Sequence, residues 1–99
     1  MARQIVWNKR AVVNFNEIVD YLETKVSERS AMDFVIRLDD LIEKLNAHPE
    51  IGRKTRNYNT VRQYRIDKYK KLYYRKHGKK LIIVFIFDER QNPESNPYQ

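Results

Sequence analysis

Seven apolar, β-favouring residues in succession, Leu81 to Phe87, constrain this chain more than any other stretch. Successive side chains of a strand point to opposite faces, so a strand with one solvated face alternates apolar and polar residues. An unbroken apolar run is instead the pattern of a strand covered on both sides. The fold must therefore bring something to each face of a sheet built around this segment.

The first half of the chain supplies one of the two covers. Ile5-Val6-Trp7 reads as a short strand, with Asn8 behind it as a helix N-cap. From Lys9, apolar residues fall at Val12, Phe15, Ile18, Val19, Leu22 and Val26, the spacing of one helical face, which predicts an amphipathic helix ending near Lys25. Ser27 is placed to cap a second helix with its stripe at Ala31, Phe34, Val35, Leu38, Leu41, Ile42 and Leu45. Pro49 stops it around Asn46 to His48. The acid-before-base pairs Asp33/Arg37 and Asp40/Lys44 add about 0.2–0.5 kcal/mol each on an exposed helix and mark a solvated face.

After a basic loop, Val61–Ile66 and Tyr69–His77 have strand character, with Asp67-Lys68 and Gly78 as turns. The expected order is β-α-α-β-β-β, an α+β fold in which an N-terminal helical hairpin covers one face of a small, mainly antiparallel sheet. A chain of 99 residues is read as a single domain, with an ordered part of about 3–93 and a polar tail, 94–99.

With two-residue turns, Val61, Leu72, Tyr74, Leu81, Ile83, Phe85 and Phe87 share the face that suits the helices. Arg62, Tyr64, Lys71, Tyr73, Arg75 and His77 then share the other face with Ile82, Val84 and Ile86. Two helices cover only one side of a sheet, and six polar tail residues are a poor cover for the second. The strip Ile82, Val84 and Ile86 is therefore expected to receive a segment of a partner protein.

Charge points to the character of the partners. The net charge is +7, and 12 of the 20 Lys and Arg residues lie between Arg53 and Lys80, facing the single acid Asp67. Such segregation suits an acidic protein or a nucleic acid, with cations on phosphates and tyrosines stacked on bases. Tyr and Arg are also ordinary on an exposed sheet face. No apolar run reaches the ~20 residues of a membrane span, and the N-terminus lacks a signal-peptide pattern, so a cytosolic protein without membrane association is expected. Zero cysteines and the two isolated histidines His48 and His77 predict no metal and no cofactor. No nucleophile-base pattern or phosphate loop is present, and Asp39-Asp40 reads as a solvated helical pair.

Several short stretches, in order, resemble the RelE/ParE superfamily of bacterial type II toxin-antitoxin toxins. They are the strand ending at Trp7, Ala31-x-x-Phe34, His48-Pro49-Glu50-Ile51-Gly52-Arg53, Val61-Arg62, the Tyr69–Arg75 segment ending in Tyr74-Arg75, and Asp88-x-Arg90-Gln91-Asn92-Pro93. The resemblance implies a toxin held inactive by a cognate antitoxin. RelE-like members cleave messenger RNA on the ribosome with basic sheet residues and, often, a closing Tyr or His; ParE-like members poison DNA gyrase without that set. Arg62, Lys71 and Arg90 match the basic positions of the ribonuclease set, but Asp88 to Asn92 stand where its closing Tyr or His belongs, with Tyr98 farther on. Pro49–Arg53 and Tyr74-Arg75 look more like the ParE branch. The expectation is a gyrase inhibitor, with the ribosome-dependent mRNA endoribonuclease as alternative and a non-toxic nucleic-acid-binding module third. Target contacts are assigned to Arg53, Lys54, Arg62, Tyr64, Lys71, Tyr73, Arg75 and Arg90, and antitoxin contacts to Ile82, Val84 and Ile86.

Overall fold

The computed structural model describes residues 3–56, 58, 60–90 and 93–98. Strand β1 is Gln4–Trp7, helix α1 Lys9–Lys25 and helix α2 Glu28–Ala47. The helix starts follow the local chemistry of the chain: the Asn8 side chain accepts from the Ala11 N–H at 3.0 Å and the Ser27 hydroxyl from the Ser30 N–H at 3.0 Å, each satisfying a donor the helix leaves orphaned. Between the helices the Val26 and Ser27 N–H groups both donate to the Leu22 carbonyl, at 3.1 and 2.8 Å, which makes the link short and the helices antiparallel. Pro49 ends α2 and opens a 3-10 turn, Pro49–Ile51.

The sheet contains β1 and four further strands: β2 (Arg53–Lys54), β3 (Arg62–Arg65), β4 (Lys70–His77) and β5 (Lys80–Asp88). Their order is β1-β5-β4-β3-β2, with β1 parallel to β5 and all other pairs antiparallel. The strand β2 falls in the stretch read from sequence as the start of a basic loop. Two residues are too few for a periodicity to register. Gly78 makes the β4–β5 turn at φ +58°, a conformation that costs glycine nothing.

The helical hairpin packs Ile18, Leu22, Phe34, Leu38, Leu41 and Leu45 against Leu72, Tyr74, Leu81, Ile83 and Ile86. Beyond the end of β1, the unpaired Ile86 N–H is taken up by the Asn14 side chain of α1 at 3.1 Å. Asn46 of α2 likewise accepts from the Arg3 N–H at 3.0 Å and donates to the Arg3 carbonyl at 3.3 Å, tying down the chain just before β1. Among the described residues no helix is long and apolar enough to cross a membrane.

The two faces are sorted differently from the two-residue-turn expectation, for two physical reasons. Tyr73 pairs with Phe85 but Tyr74 with Ile83, so Val84 is the extra residue of a β-bulge. Past it the alternation of β5 inverts: Ile86, assigned to the antitoxin strip, lies in the helix-covered core, while Phe85 and Phe87 join Ile82, Val84, Val61 and Tyr73 on the opposite side. The second reason is the turn at Asp67, whose carboxylate accepts from the Tyr69 and Lys70 N–H groups at 2.9 and 3.0 Å and widens the connection. Tyr64 consequently pairs with Leu72 and Arg62 with Tyr74, one residue away from the expected register. A one-residue slip moves every side chain to the other face, and Arg62 and Tyr64 go to the helix side.

Candidate functional site

The second face of the sheet is a basic cleft of about 770 Å³ whose lining includes Arg53, Lys54, Arg56, Gln63, Lys71, Tyr73, Glu89 and Tyr98. Two short elements bring its cations together. The β2 pairing with β3 holds Arg53 opposite Gln63 at one rim, and Lys71 stands beside Phe87 on the floor. Glu89 is already engaged: Arg65 reaches its two oxygens at 2.8 and 3.1 Å, and Lys71 lies 3.5 Å away. The Arg65 hydrogen bond holds the Glu89 carboxyl below its ordinary range, against a smaller opposing effect of burial. Arg53, Lys54 and Arg56 are exposed, and among the described residues none of the three has an ion pair. The cleft thus presents free positive charge over an aromatic floor.

The apolar strip on this face is covered in part by the end of the chain itself, which corrects the expectation that the polar tail is a poor cover. A 3-10 turn, Pro93–Ser95, carries the chain back over β4 and β5. The Tyr98 ring then stacks on Tyr73 at 5.2 Å, meets Tyr58 edge-on at 5.2 Å and lies 6.0 Å from Phe85. The buried Asn96 amide donates to the Tyr73 hydroxyl at 3.0 Å. Arg10 adds cover from α1, its guanidinium 4.6 Å above the Phe85 ring. Tyr73, expected as an exposed stacking surface, is left 1% exposed.

The remaining assigned residues are dispersed. Arg62 donates through Nη1 to the carbonyls of Glu50 and Gly52 at 3.1 and 2.7 Å, and lines a separate small cleft with Lys76 and Thr60. Tyr64 accepts from Lys44 Nζ of α2 at 2.9 Å. Arg75 pairs with Ile82 toward the β4–β5 hairpin. Arg90 is chelated by Asp88, with Nε 3.0 Å from Oδ1 and Nη2 2.7 Å from Oδ2, and its guanidinium lies 4.6 Å over the Tyr69 ring. Gln91 and Asn92 of the closing motif lie outside the described residues. Of the assigned set, Arg53, Lys54, Lys71 and Tyr73 meet in one cleft. Arg56 and Tyr98 join them unassigned. Arg56 was legible as part of the basic loop, whereas nothing near Tyr98 in sequence shows where it lands.

Asp88 has a structural role with a pH signature. Burial works to raise its carboxyl, but the hydrogen bonds from the Arg90 side chain and backbone N–H outweigh it and leave the group below its ordinary range. A carboxyl depressed in the folded state stabilises the fold above its unfolded pKa and loses that contribution as pH falls through the folded value. Asp88→Asn is expected to cost about 1–3 kcal/mol at neutral pH and to flatten the acid limb of the stability curve. Urea unfolding from pH 7 down to pH 3 checks both; an unchanged acid limb would remove Asp88 from this role.

A family model described as the ParE toxin of type II toxin-antitoxin system, parDE, matches residues 5–93. No curated protein matches the chain by sequence. Among solved structures, the chain is similar to one from the chromosomal ParDE toxin-antitoxin system of P. aeruginosa, with a TM-score of 0.73 at 17% identity, covering 88% of this chain and 96% of that one. It is also similar to a YoeB/ParE toxin from Agrobacterium tumefaciens, with a TM-score of 0.66 at 16% identity, covering 86% and 96%. A third is from the E. coli DinJ-YafQ toxin-antitoxin complex, with a TM-score of 0.62 at 11% identity, covering 91% and 96%. At these identities the likeness is one of fold, and it bears out the α+β arrangement expected from the sequence.

Proposed function

The chain belongs to the family of ParE toxins of type II toxin-antitoxin systems, and from that premise we propose that it arrests growth by binding DNA gyrase and is neutralised by an antitoxin encoded beside it. The observation that carries the gyrase reading is the dispersal of the basic residues a nuclease would need to converge on one phosphate. Lys71 is on the cleft floor, Arg62 is clamped to backbone carbonyls through the other face, and Arg90 is held by Asp88. The carboxylate in the cleft, Glu89, is kept ionised by Arg65, which makes it a weak base at neutral pH. A surface of fixed charge and aromatic rings serves binding without chemistry. Purified protein is expected to block gyrase supercoiling or to trap gyrase-DNA cleavage complexes while leaving message on programmed ribosomes intact. Unimpaired supercoiling at saturating protein would sink this reading.

A second reading, ribosome-dependent cleavage of messenger RNA, draws its support from Tyr98, which returns to the cleft that Lys71, Arg53 and Arg56 line. It predicts cut message in the ribosomal A site, lost on Lys71→Ala.

A further inference from the structure

We propose that the tip of the β4–β5 hairpin, Arg75 to Lys80, is an interaction surface in its own right, a two-stranded β-ribbon that grips the phosphate backbone of duplex DNA. It is separate from the basic cleft, which other residues line, and it does not depend on the gyrase reading.

The tip concentrates charge that nothing in the chain neutralises. Arg75, Lys76, Lys79 and Lys80 put four cations into six residues with no acid between them, and Lys76, Lys79 and Lys80 are exposed. None of the four has an ion pair among the described residues. The shape is that of a ribbon. β3 stops pairing with β4 at Tyr74, so on that side Arg75, Lys76 and His77 run on with only β5 beside them, and Gly78 closes the turn at φ +58°. A two-stranded ribbon is one of the elements that the major groove of B-DNA admits. At the base of the ribbon a cleft of about 290 Å³, with Glu50 as the acid in its lining, joins Lys76 to Arg62 and Thr60 and continues the positive surface onto β3. The composition of the tip then selects among acidic partners. From Arg75 to Lys80 the chain has no apolar or aromatic side chain. Contacts between proteins are depleted in lysine and draw their affinity from buried aromatic and apolar anchors, and a helix or loop that settles on a membrane surface likewise buries apolar groups. Single-stranded nucleic acid is held by rings stacked on its bases, which the tip does not supply. A duplex backbone asks only for closely spaced cations.

The test titrates the full chain into a short mixed-sequence DNA duplex, read by fluorescence anisotropy over a range of salt, with oligo-dT and polyglutamate as comparison arms. Two triple variants are compared: Lys76→Ala/Lys79→Ala/Lys80→Ala at the tip and Arg53→Ala/Lys54→Ala/Arg56→Ala at the cleft rim. Each takes the net charge from +7 to +4, so the two differ in where the charge is lost and not in how much. All six side chains are exposed, and unchanged urea midpoints check that both variants fold. The tip variant is expected to lose duplex affinity about 100-fold near ~0.1 M salt and to flatten the slope of log K against log salt by about 2.7, at about 0.9 for each phosphate contact. The rim variant is expected to stay within about threefold of the parent. Equal losses in the two variants, or a larger loss at the rim, would show that net charge or the cleft holds the DNA and would overturn the tip. Tighter binding to oligo-dT than to the duplex overturns the duplex assignment. Higher affinity for polyglutamate gives the tip to an acidic protein, and no duplex binding at low salt ends the proposal. Because gyrase is absent from the assay, each of these outcomes leaves the gyrase reading as it stood.

Discussion

Gly52→Ala is expected to lower folding stability by about 3 kcal/mol, the upper end of what forcing extra volume into a packed interior costs. A Cβ at this position would meet the Tyr74 hydroxyl and stand 2.8 Å from two of its ring carbons. Tyr74 cannot swing aside. Its side chain is fully buried, and its hydroxyl accepts from the Gly52 N–H at 2.9 Å while donating to the Pro49 carbonyl at 2.7 Å. Burial, opposed by the Gly52 hydrogen bond, raises the phenol above its ordinary pKa, so the proton it gives to Pro49 stays in place. Tyr74→Phe, which leaves both backbone groups without that partner, is expected to cost about 1–3 kcal/mol. The double variant should lose less than the sum, because the hydroxyl is the atom the new methyl overlaps most. Urea unfolding of the four proteins measures the cycle. A Gly52→Ala protein within about 0.5 kcal/mol of its parent would show that this contact does not organise the segment. The contact matters beyond stability, since Gly52 leads directly into Arg53 and Lys54 at the cleft rim.

The second large effect is functional. Reversing Arg53, Lys54 and Arg56 to glutamate is expected to abolish growth arrest and to weaken gyrase binding on the order of 100-fold or more, since each reversal replaces an attraction by a like-charge contact. The three side chains are exposed and lack ion pairs among the described residues, so stability should stay within about 0.5 kcal/mol of the parent. That separates loss of function from loss of fold. The experiment is run without antitoxin, which is proposed to neutralise the protein. Undiminished growth arrest by the triple variant would take the cleft out of target binding.

The helices were the most legible part of the chain. The Asn8 and Ser27 caps, the apolar stripes of α1 and α2 and the stop at Pro49 are written in neighbouring residues, and the observed helices begin and end where those signals stand. The Gly78 turn was legible for the same reason. The apolar run Leu81–Phe87 correctly demanded cover on both faces. The site was legible in part. The concentration of cations after Arg53 identified the cleft's charge, but Arg62 and Tyr64 were grouped with it through an assumed register and Arg90 through the family resemblance, while Arg75 lies on the expected face but toward the β4–β5 hairpin.

The chain's local periodicity determined by itself that two amphipathic helices precede a sheet whose central strand is apolar on both sides, with most of the positive charge on the strands and loops around it. Those signals act over a few residues, through capping, steric breaks and the geometry of helix and strand. Which side chains share a face was decided only in the tertiary structure. The Asp67 turn and the bulge at Val84 each shift the alternation by one residue, and in a period of two that exchanges the faces of everything beyond. The cover of the second face was likewise decided there. Tyr98 gains its place only after β4, β5 and Tyr58 have been assembled into the seat, a set of contacts reaching 13 to 40 residues back along the chain and invisible to any local pattern.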